Sequence, residues 1–398
     1  MAGRGRGSGV LGICVALLVG CGGPSAPDAA PGDVRRLLDR RAEAVLDRDA
    51  KEYRETGRSA KAYDNLREVP LQSWQYRLTA FDRDGERATA TADLRYRIKG
   101  YDSEPLTTSL ALTLEEREGR WYVTAERPAR KATEQLWDQG PVEAVRGAHS
   151  LVLGVGRGQG DRRDDETLRE YADLADRAVP LVRDAWHGKW PERVVVLVPK
   201  SLDGMAGLLG APASGYQGIA AVTTGETGGS GKAPADRIIV NPEAYGVLGD
   251  FGKQVVLTHE TTHVATRAHT SPATPLWLSE GFADWVGYRG TGRTAAQAAP
   301  ELRRALQREQ PPGALPEDDD FGFSGDAGKL AEAYEGAWLA CRMVADQWGE
   351  AKLTAFYEAV GVHKKRPGAV EDAMREVLDT TPEEFTARWR TYLRTELG

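Results

Sequence analysis

Three residues able to bind a metal or move a proton lie close together near position 260. His259 and His263 are four residues apart, and Glu260 directly follows the first of them, in the motif HETTH. Residues four apart leave the same face of a helix, so both imidazoles can reach one cation. A carboxylate beside that cation, but not bound to it, can take a proton from a water held there. The motif therefore predicts a helix that binds zinc and activates water.

A zinc ion that carries out chemistry needs a third protein ligand, because it usually takes three side chains and keeps one position open. Glu280 is the predicted third ligand. Pro272 and Pro275 should end the first helix and allow a reversal into a second one over LWLSEGFADW. Asp284 lies on the same face as Glu280, where it can accept the free N–H of a zinc-bound histidine. Gly281 should let this helix pack closely against the first.

HETTH followed by WLSEGFADW resembles the gluzincin metallopeptidases, the superfamily that includes thermolysin and the zinc aminopeptidases. The resemblance implies that His259, His263 and Glu280 bind zinc and that Glu260 is the general base of peptide-bond hydrolysis. The pattern WLxEGFA is closer to that of the aminopeptidases. An acid four residues after the ligand glutamate is also seen in thermolysin-like enzymes. The spacing departs from the aminopeptidases: sixteen residues separate His263 from Glu280, two fewer than they use.

The same resemblance implies two further roles. The stretch AYEGAW is similar to the YEKG stretch of aminopeptidases, whose tyrosine donates to the oxyanion of the tetrahedral intermediate. Tyr334 would carry that role, and a core tyrosine on an amphipathic helix is the alternative. In gluzincins the strand before the last one is the edge of the cleft and pairs with the substrate backbone. By order in the chain that edge is Ile219, Ala220, Ala221 and Val222, and an edge strand covered by a loop is the alternative.

The N-terminus has the pattern of a secretory signal. An apolar run over residues 10–19 follows two arginines and is too short to span a bilayer as a mature helix. It ends in LVGC, which resembles the bacterial lipobox and implies cleavage before Cys21 and a diacylglycerol on its sulfur. An ordinary signal peptide with a coincidental cysteine is the alternative. With Cys14 removed, Cys341 is the one remaining thiol, so no internal disulfide is expected.

Residues 33–128 change from helical to strand periodicity. Helical spacing of apolar residues continues to about residue 66, and alternating runs follow it, separated by DG and EG turns. The predicted strands cover residues 74–81, 87–99, 106–116 and 120–125. Helices followed by such a meander resemble the nuclear transport factor 2-like cone fold. Such a cone either holds a small ligand or is filled and serves as a spacer, and we expect no catalytic residue from it.

From residue 142 onward the pattern predicts a metal-binding domain. The run RVVVLVP is continuous and β-branched, as expected of a strand buried on both faces. Other predicted strands cover residues 149–154, 218–223 and 237–241, and predicted helices cover 165–186, 333–349 and much of 351–397. Residues 300–325 should form a mobile rim whose acidic residues are only solvated. The predicted fold class is α+β: a small cone domain, then a gluzincin domain with a mixed sheet and a mainly helical C-terminal part.

The predicted divisions are a signal peptide over residues 1–20, a lipidated tether over 21–32, the cone over 33–128 and the peptidase domain over 142–398. A net charge of −7, with both signs mixed along the chain, argues against nucleic acid as a partner. We therefore expect a zinc metallopeptidase for peptide or protein substrates, anchored through Cys21 to the extracytoplasmic face of the cell membrane. Two alternatives stay open: a non-catalytic envelope lipoprotein with a structural zinc site, and a zinc hydrolase of a non-peptide amide.

Overall fold

A computed structural model of the chain describes residues 29–58, 60–156, 162–224, 235–323 and 325–398. Side chains of the helix that begins at residue 162 are described from residue 166. An antiparallel sheet comes first in the chain, then a mixed sheet, then a mainly helical part. This order confirms the predicted α+β fold class. The predicted signal peptide and Cys21 lie outside the described residues.

The N-terminal unit packs three helices against one antiparallel meander. Its elements are α1 (Ala30–Leu46), α2 (Ala50–Glu55), α3 (Lys61–Asn65), β1 (Leu71–Asp84), β2 (Arg87–Ile98), β3 (Leu106–Arg117) and β4 (Arg120–Pro128). Gly85 and Gly119 have φ of 62° and 73° in the two predicted tight turns, a conformation that glycine adopts without strain. The side chain of Ala30 is buried in α1, so the tether prediction is wrong for residues 30–32.

Aromatic rings and a buried ion pair fill the centre of this unit. The rings of Trp74, Tyr96 and Trp137 contact one another with centroids 5.0 to 5.9 Å apart. Arg41 is buried and lies 3.0 Å from the carboxylate of Glu126. A buried guanidinium needs such a partner to offset its lost hydration. Trp137 lies between the two predicted domains, in residues 129–141, so this segment is part of the core as well.

The second sheet has three parallel strands at its centre and one antiparallel strand at each edge. Its strands and the neighbouring helices are α4 (Leu136–Gln139), β5 (Val142–Arg146), β6 (Ser150–Val155), α5 (Arg162–Ala185), β7 (Val194–Val198), α6 (Leu202–Leu209), β8 (Ala221–Thr224) and β9 (Arg237–Val240). The strand order is β5-β6-β7-β9-β8; β6, β7 and β9 are parallel, and the two edge strands are antiparallel to their neighbours. The predicted strand over 218–223 is wrong at its start, because Ile219 and Ala220 precede β8.

Both faces of the second sheet are covered. Val152 and Val196 pack with residues of α5 on one face. Leu153 and Val195 alternate with them and pack into the core of the N-terminal unit on the other face. This two-sided burial explains why β7 is continuously apolar.

A buried ion pair also joins the N-terminal unit to the second sheet. Asp102, in the turn between β2 and β3, accepts hydrogen bonds of 2.8 Å from both terminal nitrogens of Arg237 on β9. Both side chains are almost fully buried. A bidentate pair of this kind fixes orientation as well as distance, because the planar guanidinium matches the carboxylate. The pair therefore sets how β9 sits against the N-terminal unit.

The rest of the chain is mainly helical. Its helices are α7 (Pro242–Gly246), α8 (Asp250–Thr266), α9 (Leu276–Tyr288), α10 (Ala295–Ala298), α11 (Pro300–Gln307), α12 (Ala327–Trp348), α13 (Glu350–Gly361), α14 (Ala369–Ala373) and α15 (Pro382–Leu397), with a π-helical segment, Met374–Leu378, before α15. Within the described ranges, no helix combines the length and the apolar character needed to cross a membrane.

The segment predicted to be a mobile rim is partly ordered by its own acids. It begins with α11, and Asp318 lies in a short 3₁₀ turn, Asp318–Phe321. The Asp318 carboxylate accepts hydrogen bonds of 2.9 Å from the backbone N–H of Leu276 and from Arg366. It thus satisfies an N–H at the start of α9 that has no partner within the helix. The prediction that these acids are only solvated is wrong for Asp318.

Candidate metal centre

Helices α8 and α9 bring the three predicted ligands together. Nε2 of His259 is 3.0 Å from Nε2 of His263, and Oε2 of Glu280 is 3.2 and 3.4 Å from these two nitrogens. Three ligands bound at about 2.0–2.1 Å around a tetrahedral zinc ion would be about 3.3 Å apart. The atoms are therefore spaced like three corners of a zinc tetrahedron. Among the described residues, these three form the group of His, Cys, Asp or Glu with spacing suited to a metal ion.

Electrostatics favour a cation at this point. Burial alone would lower the pKa of His259, but the carboxylates of Asp284 and Glu280 raise it well above its ordinary value. Burial alone would raise the pKa of Glu280, but His263 and His259 hold it below its ordinary range. Glu280 is therefore ionised although it is buried, and its negative charge stabilises positive charge at this point. A divalent ion can replace a proton in such a cluster, as metal binding usually does.

Asp284 orients one of the two imidazoles. Its Oδ1 lies 2.7 Å from Nδ1 of His259. A proton on Nδ1 that is donated to Asp284 leaves the lone pair of Nε2 directed at His263 and Glu280. The structure therefore places Asp284 where the sequence predicted it, beside a candidate ligand and outside the group of three.

The face of α9 that carries these acids is the one that meets α8. Glu280, Asp284 and Gly287 recur at spacings of four and three, and a Cβ on Gly287 would lie 3.2 Å from a carbonyl oxygen of α8. Gly281 is rotated about 100° from Glu280 around the helix. A Cβ there would lie 2.3 Å from the carbonyl oxygen of Ala337 on α12. The prediction that Gly281 permits contact with the histidine helix is wrong: it permits contact with α12, and Gly287 permits contact with α8.

Glu260 is held by a residue that the sequence did not single out. The hydroxyl of Thr223 donates a 2.6 Å hydrogen bond to Oε2 of Glu260, and Glu260 is only 6% exposed. Thr223 belongs to β8, so this bond connects the histidine helix to the edge strand. The only signal in the sequence was its place at the end of the run GIAAVT. Glu260 lines the same cleft as the candidate ligands without belonging to their group.

Tyr334, on α12, lines the same cleft. Its ring centroid is 6.5 Å from that of His259, and it meets the ring of Phe321 edge-on at 5.2 Å. Burial, together with the charges of Glu280, Asp284 and Glu260, raises the pKa of Tyr334 above its ordinary value. The phenol therefore keeps its proton at neutral pH and is a hydrogen-bond donor.

The cleft has a volume of about 340 Å³ and is lined by the candidate ligands, Glu260, Tyr334 and part of the edge strand. Ile219, Ala221 and Val222 line it, but Ala220 does not. The carbonyl of Ala220 instead accepts a 2.9 Å hydrogen bond from the backbone of Asn241. Within the described ranges β8 pairs with β9 alone, so its other edge has no strand partner there.

Replacing Gly281 with alanine tests the packing that positions Glu280. The new methyl group would overlap the Ala337 carbonyl oxygen, so α9 must move away from α12. We expect Gly281→Ala to lower the free energy of unfolding by about 2 to 3 kcal/mol and to weaken zinc binding, measured by chemical unfolding and zinc titration. The matched control is Gly252→Ala in α8, where the nearest atoms are 3.5 Å away and a gain of about 0.5 to 1 kcal/mol is expected. Equal behaviour of the two variants would contradict this account.

No protein-family model and no curated protein matches the sequence. Among solved structures, the chain is similar to an M1 zinc metallopeptidase from Deinococcus radiodurans, with 17% identity and a TM-score of 0.31 over 79% of this chain and 61% of that one. It is also similar to a mutant of an M1 zinc metallopeptidase from Deinococcus radiodurans bound to a Tyr-Ser-Ala substrate, with 15% identity and a TM-score of 0.33 over 83% of this chain and 95% of that one. A third match, to a multiply substituted chain with NTF2 in its name, has 10% identity and a TM-score of 0.20 over 26% of this chain and 100% of that one.

Proposed function

We propose that the chain is a zinc-dependent peptidase in which Glu260 is the general base. The observation that carries the proposal is the convergence of ligand atoms of His259, His263 and Glu280 to within 3.4 Å of one another. They line a cleft that also contains Glu260 and Tyr334. In this proposal the first three residues bind zinc and Asp284 fixes the tautomer of His259.

The other side chains of the cleft have matching roles. When bound, zinc would supply Lewis acidity, which makes a water easier to deprotonate and a carbonyl easier to attack. Glu260 takes the proton of the water as its oxygen bonds to the carbonyl carbon, and passes that proton to the amine as the C–N bond breaks. Thr223 keeps the Glu260 carboxylate in place through its 2.6 Å hydrogen bond. The phenol of Tyr334 donates to the oxyanion, whose charge develops only as the water attacks.

An extended peptide is the substrate that suits this cleft best. The open edge of β8 offers backbone N–H and C=O groups to a chain whatever its side chains are. Ile219, Ala221 and Val222 line the cleft on that side and would contact the substrate. We propose the residues of β8 as the substrate-binding strand, and Ala220 contributes to the sheet instead.

The number of ligands favours catalysis over a structural metal. Structural zinc sites are usually closed by four protein ligands, whereas catalytic sites take three and keep one position open. The group found here among the described residues has three members and borders a cleft. A non-peptide amide would need the same groups, so only a substrate screen separates that alternative.

Glu260→Gln tests the general base. The amide can still accept a hydrogen bond from Thr223 but cannot take a proton, so we expect unchanged zinc content and a kcat about 10² to 10⁴ times lower. Zinc analysis and cleavage of a diverse peptide pool measure both. Glu371→Gln on α14 is the control, because Glu371 is exposed and does not line the cleft. Cleavage by Glu260→Gln at the parent rate would refute the mechanism. A parent that holds zinc and cleaves no peptide would favour the non-catalytic alternative.

Tyr334→Phe tests the proposed oxyanion donor. The ring contacts with His259 and Phe321 are kept, and only the hydroxyl is lost. Because the donor acts on charge that appears in the transition state, we expect kcat to fall by about 10² to 10³ with KM nearly unchanged. Steady-state kinetics on one peptide of the pool measure this. A rise in KM at constant kcat would assign Tyr334 to substrate binding instead.

We also propose that the protein is lipid-anchored at Cys21 on the extracytoplasmic face of the membrane. Support comes from the sequence alone, since LVGC ends an apolar run of the length of a signal peptide. In a bacterial host that processes lipoproteins, we expect the parent in the membrane fraction, with a diacylglycerol detected on Cys21 by mass spectrometry. Cys21→Ser should lose both the lipid and the membrane association, while Cys14→Ser should keep them. Lipid-free protein in the soluble fraction of the parent would overturn this proposal.

A further inference from the structure

Arg267 is the one arginine or lysine among the described residues that line the cleft. It follows α8 directly and lies four residues beyond His263, so it is one turn further along the same side of the helix. The acids in the same lining, Glu260 and Glu280, already have roles as the proposed base and ligand. The Arg267 guanidinium has no role in that chemistry.

Among the described residues, only the Nε side of the Arg267 guanidinium has a hydrogen-bond partner. Its Nε donates a 3.0 Å hydrogen bond to Asp236, whose side chain is 4% exposed. Within the described ranges no hydrogen-bond partner is found for Nη1 or Nη2, and neither is among the buried atoms that lack a partner. Arg267 is buried, with 9% of its surface exposed, but both terminal nitrogens keep some exposure and the residue lines the cleft.

The group that fits a fixed guanidinium with free terminal nitrogens is a carboxylate. Arginine binds carboxylates through two parallel N–H donors, and less entropy is lost when the side chain is already held. Asp236 holds Arg267 in this way. Asp236 directly precedes Arg237, whose guanidinium is bound by the carboxylate of Asp102. Three hydroxyl residues that follow Arg267 in the chain, Thr270, Ser271 and Thr274, also line the cleft.

We infer that Arg267 is a specificity-determining residue, which binds a carboxylate of the substrate beside the metal centre. The inference rests on the proposed peptidase function and names its substrate class: peptides with an acidic group near the scissile bond. That carboxylate is either the side chain of an acidic residue or the C-terminus of a short peptide. Both sources have the same chemistry at Arg267, and the peptides used in the test distinguish them.

The test uses the zinc-loaded full chain and matched peptides. In one series a single Glu is moved through each position around the cleaved bond of a neutral peptide, and Gln replaces it in the control series. In a second pair the C-terminus is a carboxylate or a carboxamide. We expect kcat/KM to be about tenfold or more higher for the acidic member of one pair, as for a hydrogen bond to a charged group. The position of the preferred pair identifies the source.

Variants of Arg267 then assign the preference. Arg267→Gln should abolish the preference, so that kcat/KM of the acidic peptide equals that of its neutral control measured with the same variant. Arg267→Lys keeps the charge but not the planar fork, so part of the preference should remain. Zinc content and thermal unfolding of each variant report on folding. If Arg267→Gln does not fold, the parent and Arg267→Lys still decide the question.

Three outcomes would overturn the inference in distinguishable ways. A parent that cleaves acidic and neutral peptides equally shows that Arg267 binds no substrate carboxylate, and leaves the peptidase function standing. Equal loss of both activities in Arg267→Gln, with zinc retained, assigns Arg267 a structural role through Asp236. A zinc-loaded parent that cleaves no peptide of either series overturns the proposed function itself, and this inference with it.

Discussion

The close approach of α8 and α9 is the constraint on which the site depends. It places two imidazoles and two carboxylates in a partly buried space, with ligand atoms 3.0 to 3.4 Å apart. Carboxylates removed from water are stable only when opposite charge or hydrogen bonds compensate them. Before an ion binds, His259 protonated on both ring nitrogens compensates both acids, since it lies 2.7 Å from Asp284 and 3.2 Å from Glu280. The cluster is thus organised for positive charge before any ion binds, which is what a metal site requires of its ligands.

This approach is supported from several directions. Glycines remove side chains where α9 touches α8 and α12, and Asp318 binds the first N–H of α9. On the other side, charged pairs extend from the N-terminal unit to the end of α8: Asp102 binds Arg237, and the preceding residue, Asp236, binds Arg267. Pairs this deeply buried cost desolvation and contribute orientation more than stability. The N-terminal unit therefore supports the site through the sheet face it covers and through this chain of ion pairs.

The sequence was sufficient for the parts of the structure that are set locally. Alternating polarity and two glycine turns predicted β1 to β4 closely, because one face of that sheet is buried and the other is exposed. The helical spacing in HETTH and between Glu280 and Asp284 predicted which side chains share a face. It did not predict Thr223, the neighbour of Gly281 or the role of Asp318, since each depends on an element distant in the chain. The Gly281 prediction failed although the rotation per residue was known, because nothing in the sequence identified α12 as the helix on that side.

The position of Thr223 connects substrate binding to the general base in the proposed function. Thr223 is in β8, the strand with an open edge. The hydroxyl of Thr223 donates a hydrogen bond to Glu260. Side chains alternate across a strand while backbone groups point along the sheet, so β8 can pair with a peptide and hold Glu260 with a side chain at once. A peptide that pairs with β8 would then be placed relative to Glu260 by four residues of one strand. Because this segment is so short, a shift of β8 would move the Glu260 carboxylate and the bound peptide together. The distance between the base and the substrate would therefore vary less than the position of either one.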